Sequence, residues 1–292
     1  MYKSGKIISL KSGKYSAKLV TVGAGIASLT YDDMNIVIPH NPREIALAHL
    51  GKFLSPWPNR LANGKYTFDG KSYQLPINDL NSNSAIHGLL AWKEWRIEDL
   101  NEDLAILQSN VTPIYGYPFL ISVKAIFSLD KERGLSIKYI AQNVGNNVAP
   151  YGAGVHPYLS CDLEKIDNCN LKFLSDEVFV VDQNLNPQNL IGVDALNFNF
   201  NAPRLIANTV IDHTFKLKHK NSRLELFNNK LGVYLETNAR WLQLYTGEKL
   251  ERKGLAAEPM SCPPDAFNSE IDLIHLKPGE TNILEFTVGR FK

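Results

Sequence analysis

The chain has 292 residues, 44% hydrophobic and 21% charged, long enough to bury a large core without metals or disulfides. Its 31 Lys and Arg against 30 Asp and Glu leave a formal charge of +1, which argues against a nucleic-acid binder or a protein drawn to anionic membranes. No apolar run approaches the roughly 18 residues of a membrane-spanning helix.

Along the chain the dominant pattern has period two. Residues 15–22 alternate apolar and polar side chains and predict a strand. Gly23-Ala24-Gly25 begins like a dinucleotide fingerprint, but Ser28 stands at the third glycine position and Leu29-Thr30-Tyr31 continues as strand. Pyrophosphate binding needs a helix N-terminus there, so a hairpin turn is the reading. Residues 42–49 predict a short helix with Pro42 in its first turn. Residues 65–75 predict a hairpin about Asp69-Gly70, entered through the turn Asn63-Gly64. Asp79-Leu80-Asn81-Ser82-Asn83 imitates a calcium loop, yet Ser84 and Leu90 replace the glycine and the bidentate glutamate, which leaves a polar loop. Further strands are expected at 119–128, 135–140, 231–237, 241–245 and 283–288, with turns at Gly145-Asn146-Asn147 and Pro278-Gly279. No helix-period segment is long enough to be a principal element, and no linker or repeat divides the chain. The expected fold is all-β, a large antiparallel β-sandwich over 1–292 with few short helices.

The cysteines Cys161, Cys169 and Cys262 are odd in number, which suits reduced thiols better than a disulfide framework, and no spacing supports a structural zinc site. The first apolar stretch is short and broken by lysines, unlike a secretory signal, so a cytoplasmic location is expected.

Four segments are not explained as strands. The first, Phe53 to Gly64, contains Pro56-Trp57-Pro58-Asn59-Arg60. Its prolines stiffen the loop, and Trp57 beside Asn59 and Arg60 offers an apolar disc next to hydrogen-bond donors, suited to a ligand with hydroxyls and C–H faces. The alternative is a packed surface loop with Arg60 in an ion pair. The second is Ser84-Ala85-Ile86-His87-Gly88, where His87 is either a core histidine or a functional one. In the third, Pro150 to Tyr158, His156 lies between glycines and Pro157; it is a core histidine or a proton donor with space around its ring. In the fourth, Glu258 is the sole charge between Lys253 and Asp265. Burial would raise its pKa toward that of a general base, and pairing with an arginine such as Arg60 is the alternative.

Together these segments, in this order, resemble the aldose 1-epimerase (galactose mutarotase) family, from about Phe53 to Pro278-Gly279-Glu280, with Asp212-His213-Thr214-Phe215 similar to the family's substrate-binding Asp segment. The resemblance implies a large twisted β-sandwich holding a free small-molecule sugar on its concave face, with no cofactor and no metal. It implies His156 as the acid acting on the ring oxygen and Glu258 as the base at the anomeric hydroxyl. His87, Arg60 and Asp212 would hold hydroxyls, with His87 also near the ring oxygen. The run Glu258-Pro259-Met260 and the short Ile86-His87-Gly88 look closer to a bacterial epimerase-like branch. Alternatives are a hexose-6-phosphate 1-epimerase, a carbohydrate-binding protein without turnover, and a glycoside hydrolase pairing Glu258 with Asp212 or Asp265.

Overall fold

The computed structural model describes residues 3–291. Its largest sheet is nine-stranded, running in the order Arg96–Leu100, Leu104–Val111, Ile121–Asp130, Gly134–Asn143, Thr281–Arg290, Gly232–Thr237, Ser222–Phe227, Asn170–Lys172, Arg204–Leu205. The period-two expectation holds in its centre: Ile121, Val123, Ala125, Phe127 and Leu129 are buried, while Lys124, Ser128 and Asp130 stay on the other face.

A second sheet carries Pro187–Gly192, Ser175–Val181, Asp212–Leu217, Trp241–Tyr245, Leu255–Met260, Gly154–Val155 and Phe53–Leu54 in that order, with Tyr158–Leu159 also paired to Leu255–Met260. The stacked rings of Phe53 and Tyr139, 3.8 Å apart, join the two sheets across a shared apolar core. A four-stranded sheet, Ile7–Ser12, Tyr15–Val20, Gly25–Tyr31 and Met34–Asn35, packs on the nine-stranded one through Tyr15, whose hydroxyl accepts the Arg290 N–H at 2.8 Å. The fold is the all-β sandwich expected. All three cysteines are buried and unpaired, and among the described residues no helix is long and apolar enough to cross a membrane.

The expected helix over 42–49 does not form. Only Leu47–His49 makes a 3₁₀ turn, and Ala48 and His49 both adopt left-handed φ angles of 47° and 53°. Asn41 Oδ1 instead accepts the Arg43 N–H at 3.1 Å and the Asn41 carbonyl accepts Glu44 N–H at 2.9 Å. That side-chain turn competes with a helix too short to nucleate by itself.

Candidate active site

Leu255–Met260 is buried at every position, because Leu255 and Ala257 meet the main core while Ala256 and Met260 pack into smaller apolar clusters on either side of Glu258, which borders a cavity. Gly154 pairs with Met260, and Tyr158 pairs with Ala256. His156 lies midway between these pairs and therefore directly across from Glu258. Cross-strand partners share a face, and His156 Nε2 lies 3.2 Å from Glu258 Oε1. The backbone of His156 is clamped from the other side: its N–H reaches Lys52 O at 3.0 Å and its carbonyl accepts Gly51 N–H at 2.8 Å. The glycines before His156 serve packing rather than space around its ring, since a Cβ on Gly154 would stand 2.9 Å from Pro58 Cβ.

The row continues across the sheet. Glu258 pairs with Gln243, which pairs with Thr214, and Asp212 lies two residues along on the same face. Gln243 donates to Asp212 Oδ1 at 2.6 Å and accepts the Thr214 hydroxyl, so its amide has one orientation and aims Asp212. Glu258, His156 and Asp212 border a cavity of about 430 Å³, as do His87, Arg60 and His49, with Gln243 behind them.

Arg60 pairs with Ile86 between short strands, bringing the first two sequence segments side by side. His87 N–H reaches Asn59 O at 2.9 Å, and Asn59 N–H donates to His87 Nδ1 at 3.2 Å. With Nδ1 accepting, a neutral His87 carries its proton on Nε2. Asn59 Oδ1 accepts both Arg60 N–H, at 2.8 Å, and its guanidinium, at 3.3 Å. The turn depends on Gly88, whose φ is +69° and where a Cβ would fall 2.2 Å from Ser55 O.

Trp57 does not reach the cavity. It is buried against Tyr117 and Phe267 with its indole N–H on Ala85 O at 3.1 Å; the two prolines turn its large apolar face into the core, where burial is worth most. Glu258 pairs with His156 rather than Arg60, which sits 3.6 Å from Asp79. The loop read as a false calcium site supplies Asp79, Asn81 and Ser82 to the cavity wall. His49, Gln243 and Lys249 also belong to the site or its support without standing out in the sequence; only Gln243 carries a signal, as the polar position of an otherwise apolar strand.

Burial is the main electrostatic influence. It pushes His87 and His156 well below the ordinary histidine value, and it pushes Glu258 well above the ordinary carboxylate value, with Asp212 adding and Arg60 opposing. Asp212 is raised by burial as well, against Arg60 and the Gln243 hydrogen bond. His156 Nδ1 and Glu258 Oε2 are buried without a hydrogen-bond partner among the described residues. Burial thus favours an uncharged imidazole beside an uncharged carboxyl, a pair that holds one proton near neutrality. The donor atoms of His87, His156 and Glu258 lie within 4.8 Å of one another, the kind of set that can hold a cation. A metal-bound imidazole, however, donates from its other nitrogen, whereas His87 Nδ1 accepts a hydrogen bond from the Asn59 N–H, which leaves the proton of a neutral ring on Nε2, and the set does not fit a metal.

These shifts set an acid sensitivity. Burial, reinforced by Lys52 for His40 and by Lys249 and Lys52 for His49, lowers both to about 4. Between pH 6.5 and 4 the unfolded chain binds protons at His40, His49 and His87 that the native protein refuses. Stability therefore falls as pH falls, by at most about 1.4 kcal/mol per pH unit for each buried histidine and less for the partly exposed His40. The His156–Glu258 pair cancels in this window, since native and unfolded states each hold one proton on it, and Asp212 offsets a part. Urea midpoints measured at pH 7 and pH 5 are expected to drop at the lower pH; a constant or rising midpoint would contradict the buried, neutral histidines.

The family model for aldose 1-epimerase matches residues 6–287. The chain is 47% identical over 290 residues to YihR of Escherichia coli (strain K12), a protein of uncharacterised function, covering 99% of this chain and 94% of that one. It is 27% identical over 280 residues to the aldose 1-epimerase of the same strain, covering 80% and 77%. Among solved structures, the GalM/aldose epimerase homologue from C. elegans superposes with a TM-score of 0.88 at 20% identity, covering 98% and 99% of the two chains. Galactose 1-epimerase from Lactobacillus acidophilus NCFM gives 0.84 at 20% identity over 97% and 93%; at such identity both speak for the fold.

Proposed function

The chain belongs to the aldose 1-epimerase family, and from that premise we propose that it interconverts the α and β anomers of a free aldohexose. The observation that carries the reading is the buried His156–Glu258 contact of 3.2 Å, in a cavity that also holds His87, Arg60 and Asp212. Anomer exchange opens the pyranose ring, turns the bond between carbons 1 and 2, and closes the ring on the other face. Opening removes the proton of the anomeric hydroxyl and delivers one to the ring oxygen.

Glu258 as carboxylate takes the first proton and His156 as imidazolium gives the second while the bond between carbon 1 and the ring oxygen breaks. Reclosure returns both protons, so acid and base are regenerated and nothing is consumed. A pair that holds one proton has the inventory this cycle needs; Arg60 favours the Glu258 carboxylate while opposing the His156 imidazolium, so the polarity that brings the pair to its ion-pair form comes from the sugar's hydroxyls. His87 Nε2–H donates toward the ring oxygen. Arg60, held by Asn59, and Asp212, held by Gln243, bind hydroxyls.

A sugar phosphorylated at carbon 6 is the second reading. Lys249 borders the same cavity as Arg60, but Arg96 is engaged with Glu98 and Gln108 instead, and among the described residues Arg60 is the one guanidinium lining the cavity, where a phosphate is usually met by several. Polarimetry on freshly dissolved α-D-glucose, α-D-galactose and glucose 6-phosphate tests both. A faster decay of rotation with a free sugar supports the first reading, and a response to the phosphate alone replaces it with the second. Silence with all three would favour a modified sugar or a binding-only role.

A further inference from the structure

His49 borders the cavity, yet no hydrogen bond involves either of its ring nitrogens among the described residues. Its contacts are rings. The centroid lies 4.5 Å from that of His87, 5.1 Å from Trp92 and 6.2 Å from His156. The His49 and His156 planes are within 18° of parallel, and the Tyr158 ring lies parallel to His156 to the same degree at 5.0 Å. His49 thus touches both histidines of the site, where Tyr158 touches only His156.

The backbone that carries His49 is unusual. Ala48 and His49 are consecutive left-handed residues, a conformation that side chains with a Cβ resist. It persists because the next residues are stitched into the site: Gly51 N–H and Lys52 O clamp the peptide of His156 on both sides, and the Tyr158 hydroxyl reaches Ala48 O at 3.3 Å. Strain of this kind, over-determined by its surroundings, gathers where a side chain must be held in one place. The ring it holds is uncharged at neutral pH, since burial, Lys249 and Lys52 oppose its protonation and only Asp79 favours it. An uncharged ring is compatible with an imidazolium forming beside it at His156.

We propose that His49 is a positioning residue for His156: its ring, with that of Tyr158, fixes the plane in which Nε2 points at Glu258. The inference rests on the epimerase reading for its functional consequence, though not for its geometry. His49→Leu keeps most of the volume and removes the aromatic plane; His49→Phe restores the plane and removes the nitrogens. A misplaced acid can lose about 10²-fold in rate, so His49→Leu is expected to lower kcat by roughly 10–100-fold with KM little changed. His49→Phe is expected to recover most of that loss. Wild-type kcat in the Leu variant overturns the proposal, as does a rise in KM at constant kcat, which would make His49 a sugar contact.

The same variants are read by NMR through the His156 Hε1 resonance, displaced by the neighbouring ring currents. It should move in the Leu variant and return toward its wild-type position in the Phe variant; an unmoved resonance in both overturns the proposal. If wild type fails to speed mutarotation of any sugar, the epimerase reading fails, and this resonance decides His49 by itself.

Discussion

Glu258→Gln is expected to lower kcat for mutarotation by about 10³-fold or more while leaving sugar affinity nearly unchanged. The amide matches the carboxylate in shape and can still hydrogen-bond His156 across 3.2 Å, but it cannot take the anomeric proton. Because burial holds the carboxyl well above its ordinary range, its ionised form is a burden on the fold at neutral pH. The variant should therefore unfold at an equal or higher urea concentration than wild type. Initial rates by polarimetry and sugar binding by calorimetry read the two effects separately. Turnover at the wild-type rate would remove Glu258 as the base, and a collapse in sugar affinity would make it a binding residue.

His156→Asn is expected to lower kcat by about 10²–10⁴-fold, and its effect has two sources. The acid is lost, and Glu258 loses the partner with which it shares a proton, leaving a buried carboxyl beside Asp212 that holds its proton more tightly. Residual activity should therefore rise toward alkaline pH as that carboxyl ionises. The double variant His156→Asn with Glu258→Gln should be little worse than either single one, as for groups that act as a unit. Multiplicative losses would show that the two residues act in separate steps, and an unaltered pH profile would show that they do not share a proton.

The strands were legible wherever one face meets the core and the other meets water. The strand expected at 119–128 forms over 121–130 for that reason: Val123, Ala125 and Phe127 alternate with Lys124 and Ser128. Leu255–Met260 did not read as a strand, because both of its faces are covered and the alternation vanishes. The helix expected at 42–49 failed because a local pattern was outweighed by the Asn41 turn and by the tie of Gly51 and Lys52 to His156. Trp57 lies in the core instead of the cavity wall, since an aromatic next to donors looks alike in a ligand site and in a core.

By itself, then, the amino-acid sequence determined the all-β class, the main turns and the segments holding Arg60, His87, His156, Asp212 and Glu258, since period-two patterning and motif order are local properties of the chain. Only the tertiary structure decided that His156 faces Glu258, that a neutral His87 carries its proton on Nε2, that Gln243 bonds Asp212, and that the His49 ring lies beside those of His87 and His156. Each of these follows from which residues pair across strands far apart in sequence. A local pattern tells which face a side chain takes, but register between distant strands is set only when the whole core closes.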